Sequence, residues 1–250
     1  MMKYIIILII SFILNAQEWN YSADILEKKK ENGREVRIFK STDIGNKQVV
    51  IFKDTISIFT NQAKQYVDNK ELHLLGPVTM INGTDSLKCQ NMIFWYEVDS
   101  LHAFGNVNFK FKNNFVETDS LIYVKTNGFR GYSFTANNNS KFYDPQYEIN
   151  ANQMIYNDNL QYMLLNDKVT VTLDKQGAKG QNINIEFQDS LIKNMTVKND
   201  AYIYNNHYAM ANNENYQLFK DEISGNTIKV DFNDKELSNI EVEGMAQSKY

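Results

Sequence analysis

The stretch Leu101-His-Ala-Phe-Gly105-Asn-Val107-Asn-Phe109-Lys-Phe111 carries the reading of the fold. Val107, Phe109 and Phe111 alternate with Asn108 and Lys110, which gives one apolar and one wet face, the period of a half-buried β-strand. Gly105 stands just ahead of the triplet; a glycine there weakens a strand and marks a bulge or bend that coils the sheet. The same alternation recurs in Val169-Thr-Val171-Thr-Leu173, Ile183-Asn-Ile185-Glu-Phe187 and Ile228-Lys-Val230-Asp-Phe232. Tyr, Phe, Ile, Val and Thr supply the strand formers, and Asn, Asp and Gly fill the gaps between them. The charged stretch 25–35 has helical composition, but it is short and reads as a solvated hairpin or loop.

Sliding the chain against itself exposes repeats. At an offset of 29 residues, Leu72-His-Leu-Leu-Gly76-Pro-Val78 falls on Leu101-His-Ala-Phe-Gly105-Asn-Val107. At 62, Met92-Ile-Phe94 falls on Met154-Ile-Tyr156 and the Val107 triplet on the Val169 triplet; at 45, Phe187 meets Phe232 and Asn194-Met-Thr-Val197 meets Asn239-Ile-Glu-Val242. The unit is a strand, a turn and a returning strand, often led in by Asp-Ser-Leu (85–87, 99–101, 119–121, 189–191). The uneven spacing argues for antiparallel hairpins with loops of variable length, not a strict coil-per-turn solenoid. In the third copy Asn166-Asp-Lys168 replaces the glycine, and a turn is expected there in place of the bend. The expected fold class is therefore all-β, an open, twisted antiparallel sheet built from repeated hairpins.

The first residues carry a different signal. Lys3 precedes an apolar run from Tyr4 to Leu14 that ends at Asn15-Ala16-Gln17, too short to span a bilayer as a helix, and residues 1–16 read as a secretory signal peptide. No cysteine lies near the expected cut, so no lipoprotein anchor is expected. The rest (17–250) suffices for one large β-domain or two modest halves, 17–136 and 147–250, divided near Asn137-Asn-Asn-Ser140 and Pro145. Net charge is −4 and the basic residues are dispersed, which argues against a nucleic-acid partner. The single Cys89 forms no internal disulfide and reads as a small buried residue.

At this point a family resemblance enters. Glu97-Val-Asp-Ser-Leu-His-Ala-Phe-Gly-Asn-Val-Asn-Phe109 resembles the A-x-G-N-V strand of the LptA/OstA family, and Asp85-Ser-Leu-Lys-Cys-Gln-Asn-Met-Ile-Phe-Trp95 is similar to its lead-in. Leu237-Ser-Asn-Ile-Glu-Val-Glu-Gly-Met-Ala-Gln-Ser248 resembles the pattern of OstA-like proteins of the Bacteroidetes. The resemblance implies a β-jelly-roll with a groove down its length, edge-strand pairing with other Lpt-type β-jelly-roll proteins, and lipopolysaccharide as cargo between the inner and outer membranes. It also implies a periplasmic location, free or associated with the outer membrane. On that reading the groove is lined by Val78, Met80, Val107, Phe109, Phe111, Val169, Val171, Leu173, Ile183, Ile185, Phe187, Ile228, Val230 and Phe232.

Other readings stand beside it. His73 and His102 are equivalent across the 29-residue repeat, which makes them repeat positions opposite their apolar neighbours more readily than metal ligands. The Asp-Ser pairs read as turn chemistry. No nucleophile elbow, P-loop or dinucleotide fingerprint is present, so neither enzyme activity nor a cofactor is expected. A transmembrane barrel would need strands of about 9–11 residues, longer than the alternating segments here. An exported adhesin-like or binding module with a closed core remains open, because alternation alone does not separate a closed core from a groove.

Overall fold

The computed structural model describes residues 19–42, 48–125, 131–212, 215–233 and 236–249; the signal-peptide expectation at 1–16 lies outside them. The chain is all-β. Among the described residues it has 18 strands: β1 (Asn20–Ser22), β2 (Ile25–Glu31), β3 (Arg34–Lys40), β4 (Val49–Lys53), β5 (Ile56–Thr60), β6 (Gln62–Tyr66), β7 (Glu71–Asn82), β8 (Asp85–Trp95) and β9 (Ser100–Phe111). They continue as β10 (Asn114–Lys125), β11 (Tyr132–Tyr143), β12 (Glu148–Asn157), β13 (Tyr162–Leu173), β14 (Gln176–Gln188), β15 (Leu191–Asn212), β16 (Asn215–Asn233), β17 (Glu236–Glu243) and β18 (Gln247–Lys249). From β7 to β17 every strand pairs antiparallel with the next, which excludes a parallel coil. No pairing register joins β1 or β2 to β17 or β18 among the described residues, so the sheet is open. The stretch 25–35 is the β2–β3 hairpin, turned by Asn32 and Gly33, both in left-handed conformations.

The strands are longer than the alternating segments suggested. β7, β9, β10, β11 and β13 each run 12 residues, because each is two short alternating halves joined through a bend. The pairing register slips at that bend, between Leu75 and Val78, Lys88 and Asn91, Thr118 and Ser120, Asn137 and Ser140, Asn166 and Val169, and Lys198 and Ala201. The slips align across the sheet and fold it along one line into two arms. Arm A holds residues 71–75, 91–95, 100–104, 120–125, 132–137, 153–157, 162–166, 182–188, 191–198, 227–233 and 236–243. Arm B holds 78–82, 85–89, 107–111, 114–118, 140–143, 148–151, 169–173 and 176–180, and then the outer parts of β15 and β16.

Ring contacts prove the fold-over. Tyr123 pairs with Leu101, eight residues before Phe109 on β9, a separation of ~26 Å along a straight strand. The Phe109 and Tyr123 rings nonetheless meet at 6.0 Å between centroids. The inner faces of the two arms thus pack on each other as one continuous core that runs from Phe39 to Val230.

Two residue patterns make the bend. On β9, β11, β13 and β15 it is a pair of consecutive left-handed residues: Gly105 and Asn106 (φ 80° and 51°), Asn138 and Asn139 (65° and 51°), Asp167 and Lys168 (61° and 54°), Asn199 and Asp200 (59° and 60°); on β7 Gly76 alone is left-handed, ahead of Pro77. Asn, Asp and Gly tolerate that region best, which explains much of the Asn-rich composition. The third copy therefore keeps the bend, with Asp167-Lys168 in place of Gly105-Asn106, and does not substitute a turn. The intervening strands place a small residue at the inner corner: Thr60, Cys89, Thr118, Ala151, Gly180 and Gly225. These corners fall 29, 29, 33, 29 and 45 residues apart, so the 62-residue offset is two units and the 45-residue offset is one unit lengthened by the long β15–β16 hairpin. Asn137–Ser140, read from sequence as a break between halves, is the bend of β11; β11 pairs with β12 on both sides of it.

Candidate functional site

Hairpin turns run along the free edge of each arm, and between the two edges lies a mouth that leads to the apolar seam. Val78, Met80, Val107, Phe109, Phe111, Val169, Val171 and Leu173 stand on arm B; Ile183, Ile185, Phe187, Ile228, Val230 and Phe232 stand on arm A. All fourteen face the seam. Eleven are buried in the common core, while Met80, Leu173 and Phe232 are half-buried and pack against it. The alternation therefore identifies which face is inward.

The aromatic part of the seam was missed. Tyr123, Tyr132, Phe134 and Tyr156 of arm A, with Tyr147 at the edge of arm B, close the mouth over the middle of the molecule. Phe111 of arm B meets Tyr132 and Phe134 of arm A at 5.6 and 5.9 Å; Tyr123 stacks on Tyr132 at 5.6 Å, and Tyr147 on Phe187 at 6.1 Å. The Phe134-Thr-Ala136 and Tyr132-Ser-Phe134 alternation was available, but those half-strands are too short to stand out by themselves. Burial raises the phenol pKa values of Tyr123, Tyr132, Tyr147 and Tyr156, so these rings are neutral and act as apolar surface. At the N-terminal end Trp19 reaches Phe94 across the mouth at 5.5 Å, and Tyr21 stacks on Phe39 at 4.4 Å while accepting a 2.9 Å hydrogen bond from Gln65 Nε2.

Beyond Tyr147 and Phe187 the closure stops. Between β13–β16 and β17 lies a cavity of about 350 Å³ walled by Leu173, Met195, Ile203, Ile223, Val230, Phe232, Leu237 and Ile240, with Gln176, Asn205 and Asp221 at its polar margin. It adjoins a wider recess of about 790 Å³ bordered by Tyr147, Ile192, Asn206 and His207, and shares Leu173, Gln176, Asn205 and Phe232 with it. A cavity of this size, apolar within and polar at the rim, suits a small or chain-like apolar ligand.

The other candidate residues are dispersed. His73 accompanies Glu71 (3.2 Å) and His102 accompanies Ser120 (2.9 Å), both on the outer face and flanking Ile93. No group of three or more metal-ligating side chains occurs among the described residues. Cys89 occupies an inner corner, its thiol donating to the Asn91 carbonyl at 3.1 Å, and burial pushes its pKa up to about 12. Asp189 and Ser190 are left-handed residues of the β14–β15 turn, and Asp85 Oδ1 accepts the Lys112 N–H of the neighbouring turn. The Asp-Ser pairs thus serve as turn and bend chemistry.

No protein-family model and no curated protein sequence matches the chain. Among solved structures it is similar to LptH, the LptA-homologous periplasmic component of the lipopolysaccharide transport device of Pseudomonas aeruginosa. That similarity has 9% identity and a TM-score of 0.18 and covers 82% of this chain and 94% of that one. A superposition of that quality decides neither fold nor function.

Proposed function

We propose that this chain is a periplasmic lipopolysaccharide-binding and transport protein, not an enzyme, that shields acyl chains in the seam between its arms. The observation that carries the proposal is the apolar cavity behind Leu173 and Phe232, which is continuous with a seam of inward apolar side chains along the sheet. The resemblance of the 85–109 segment to the LptA/OstA family supports it from an independent side. Each acyl methylene kept from water is worth about 0.8 kcal/mol, so a multi-chain lipid needs such a path to cross an aqueous gap. Repetition of similar apolar walls keeps successive positions close in energy and permits sliding. The outer edges of β2 and β17 carry backbone groups that can take a further strand from a neighbouring β-domain.

Titrating purified protein with rough lipopolysaccharide tests the reading. Saturable binding is expected, with a fluorescent acyl probe displaced from the cavity and affinity lost at least tenfold in Phe232→Asp. Absence of binding by the folded wild-type protein would overturn it. A closed-core exported binding module is the second reading; the full burial of Ile183, Ile185 and Leu121 in the central seam favours it, and it requires no acyl binding at all.

A further inference from the structure

The mouth is shut over the centre by a device made of both arms. Lys112 sits in the β9–β10 turn on the edge of arm B, and Asp158 in the β12–β13 turn on the edge of arm A. Lys112 Nζ approaches Asp158 Oδ1 at 3.6 Å and lies 5.9 Å from the centroid of the Tyr132 ring. Asp158 also accepts from Tyr156 Oη at 3.1 Å, and its backbone N–H donates to the Tyr132 carbonyl at 2.9 Å. The ion pair, the Tyr123–Tyr132 stack and the Phe111 edge contact therefore hold one spot on the mouth from both sides.

Nothing in this arrangement is irreversible. The Lys112 side chain is 66% exposed, so its ion pair is screened by water and salt. The Tyr132 hydroxyl is buried without a hydrogen-bond partner among the described residues. A buried unsatisfied donor opposes the closed state, and parting of the arms would hydrate it. Weak closure with a built-in opposing penalty is what a reversible gate requires. An interior needed only for packing would gain nothing from it.

We propose that Lys112, Asp158 and Tyr132 form a latch across the mouth. Acyl chains held in the open cavity at β13–β17 advance into the central seam only when this latch parts. The inference rests on the lipid-shielding function proposed above and adds to it a route of admission: chains enter beside Phe232, pass the Tyr147–Phe187 stack and are then held at the latch around Tyr132.

The latch can be tested without any lipid. Cys89 is the only native cysteine, and its place at an inner corner, where Thr60 and Thr118 stand in sister repeats, suits Cys89→Ser. In that background Ala136→Cys places a small thiol between the arms, at a position with 0% exposure. Its labelling by an uncharged maleimide is expected to be slow. Removal of the Tyr132 ring contacts in Tyr132→Ala should accelerate it about tenfold. Loss of the exposed ion pair in Asp158→Asn, or in the structurally mild Lys112→Gln, should accelerate it about two- to fivefold. Lys125→Gln removes a 2.6 Å ion pair with Asp99 that lies within arm A, and should leave the rate unchanged.

If none of the three latch variants labels faster than Lys125→Gln, the latch is overturned. A parallel titration with a naphthylamine dye separates this outcome from failure of the lipid reading. Faster labelling with additional dye bound supports both. Faster labelling with no dye bound by any variant leaves the latch standing and overturns the lipid-shielding function. Dye binding without faster labelling overturns the latch alone.

Discussion

At the residue scale, the bend controls which substitutions the sheet tolerates. Gly105 holds φ +80°, and a Cβ there would lie 2.8 Å from Gln90 Cβ. Strain and crowding together should make Gly105→Ala destabilising by about 1–3 kcal/mol, read as a lower urea midpoint at unchanged m. Glu31 offers a pH handle: hydrogen bonds from Lys29, Lys64 and Tyr66 pull its carboxyl from 4.5 to about 2. A depressed acid contributes stability that is fully present above its unfolded pKa and is lost as pH falls through the folded value. Thermal melts should therefore show a loss between about pH 4.5 and 2 that is reduced in Glu31→Gln; identical acid limbs would contradict this. The inward identity of Val107, Phe109 or Ile185 was legible because alternation needs only neighbouring residues. The role of Asp167-Lys168 was not, because nothing local to those two residues shows that Gly105-Asn106 and Asn138-Asn139 hold the same bend.

At the scale of the element, the bend line carries a structure invisible in sequence. Gln153 donates to Asn137, Asn166 to Gln153, Asn182 to Asn166 and Asn199 to Asn182, at 2.9, 3.0, 3.0 and 2.9 Å. One amide from each of β11 to β15 thus forms a ladder across five strands, at the point where each strand leaves arm A. It gives the bend a fixed register and satisfies four half-buried side chains, with Asn199 at the exposed end of the ladder. Asn166→Ala removes two of these bonds at once and should cost about 1–3 kcal/mol, whereas Asn150→Ala, beyond the ladder on arm B, should cost little; equal effects in urea melts would refute the ladder's role. In the sequence the four asparagines stand among the polar gap fillers, and with Gln153 they recur at uneven spacing. Only pairing in register shows that intervals of 16, 13, 16 and 17 residues are one column.

At the scale of the whole molecule, fold class was the most legible property and the arms the least. Alternation and repetition indicate antiparallel hairpins, and the sheet of the described residues is built that way. The halves of each strand looked like separate short strands because the bend resets the alternation. The fold-over, the aromatic closure and the terminal cavity follow from contacts between residues far apart in sequence, such as Phe111 with Tyr132 or Tyr147 with Phe187. The resulting interior is asymmetric, sealed from Trp19 to Phe187 and open beside Phe232.

In-cell photo-crosslinking tests the central claim most directly. A photoreactive residue at Phe232, on the cavity wall, should capture lipopolysaccharide, and one at Phe109 should do so more weakly behind the latch. Outward positions Lys229 and Lys110 should capture none. Capture from Lys229 and Lys110 but not from Phe232 or Phe109 would contradict an acyl-binding interior.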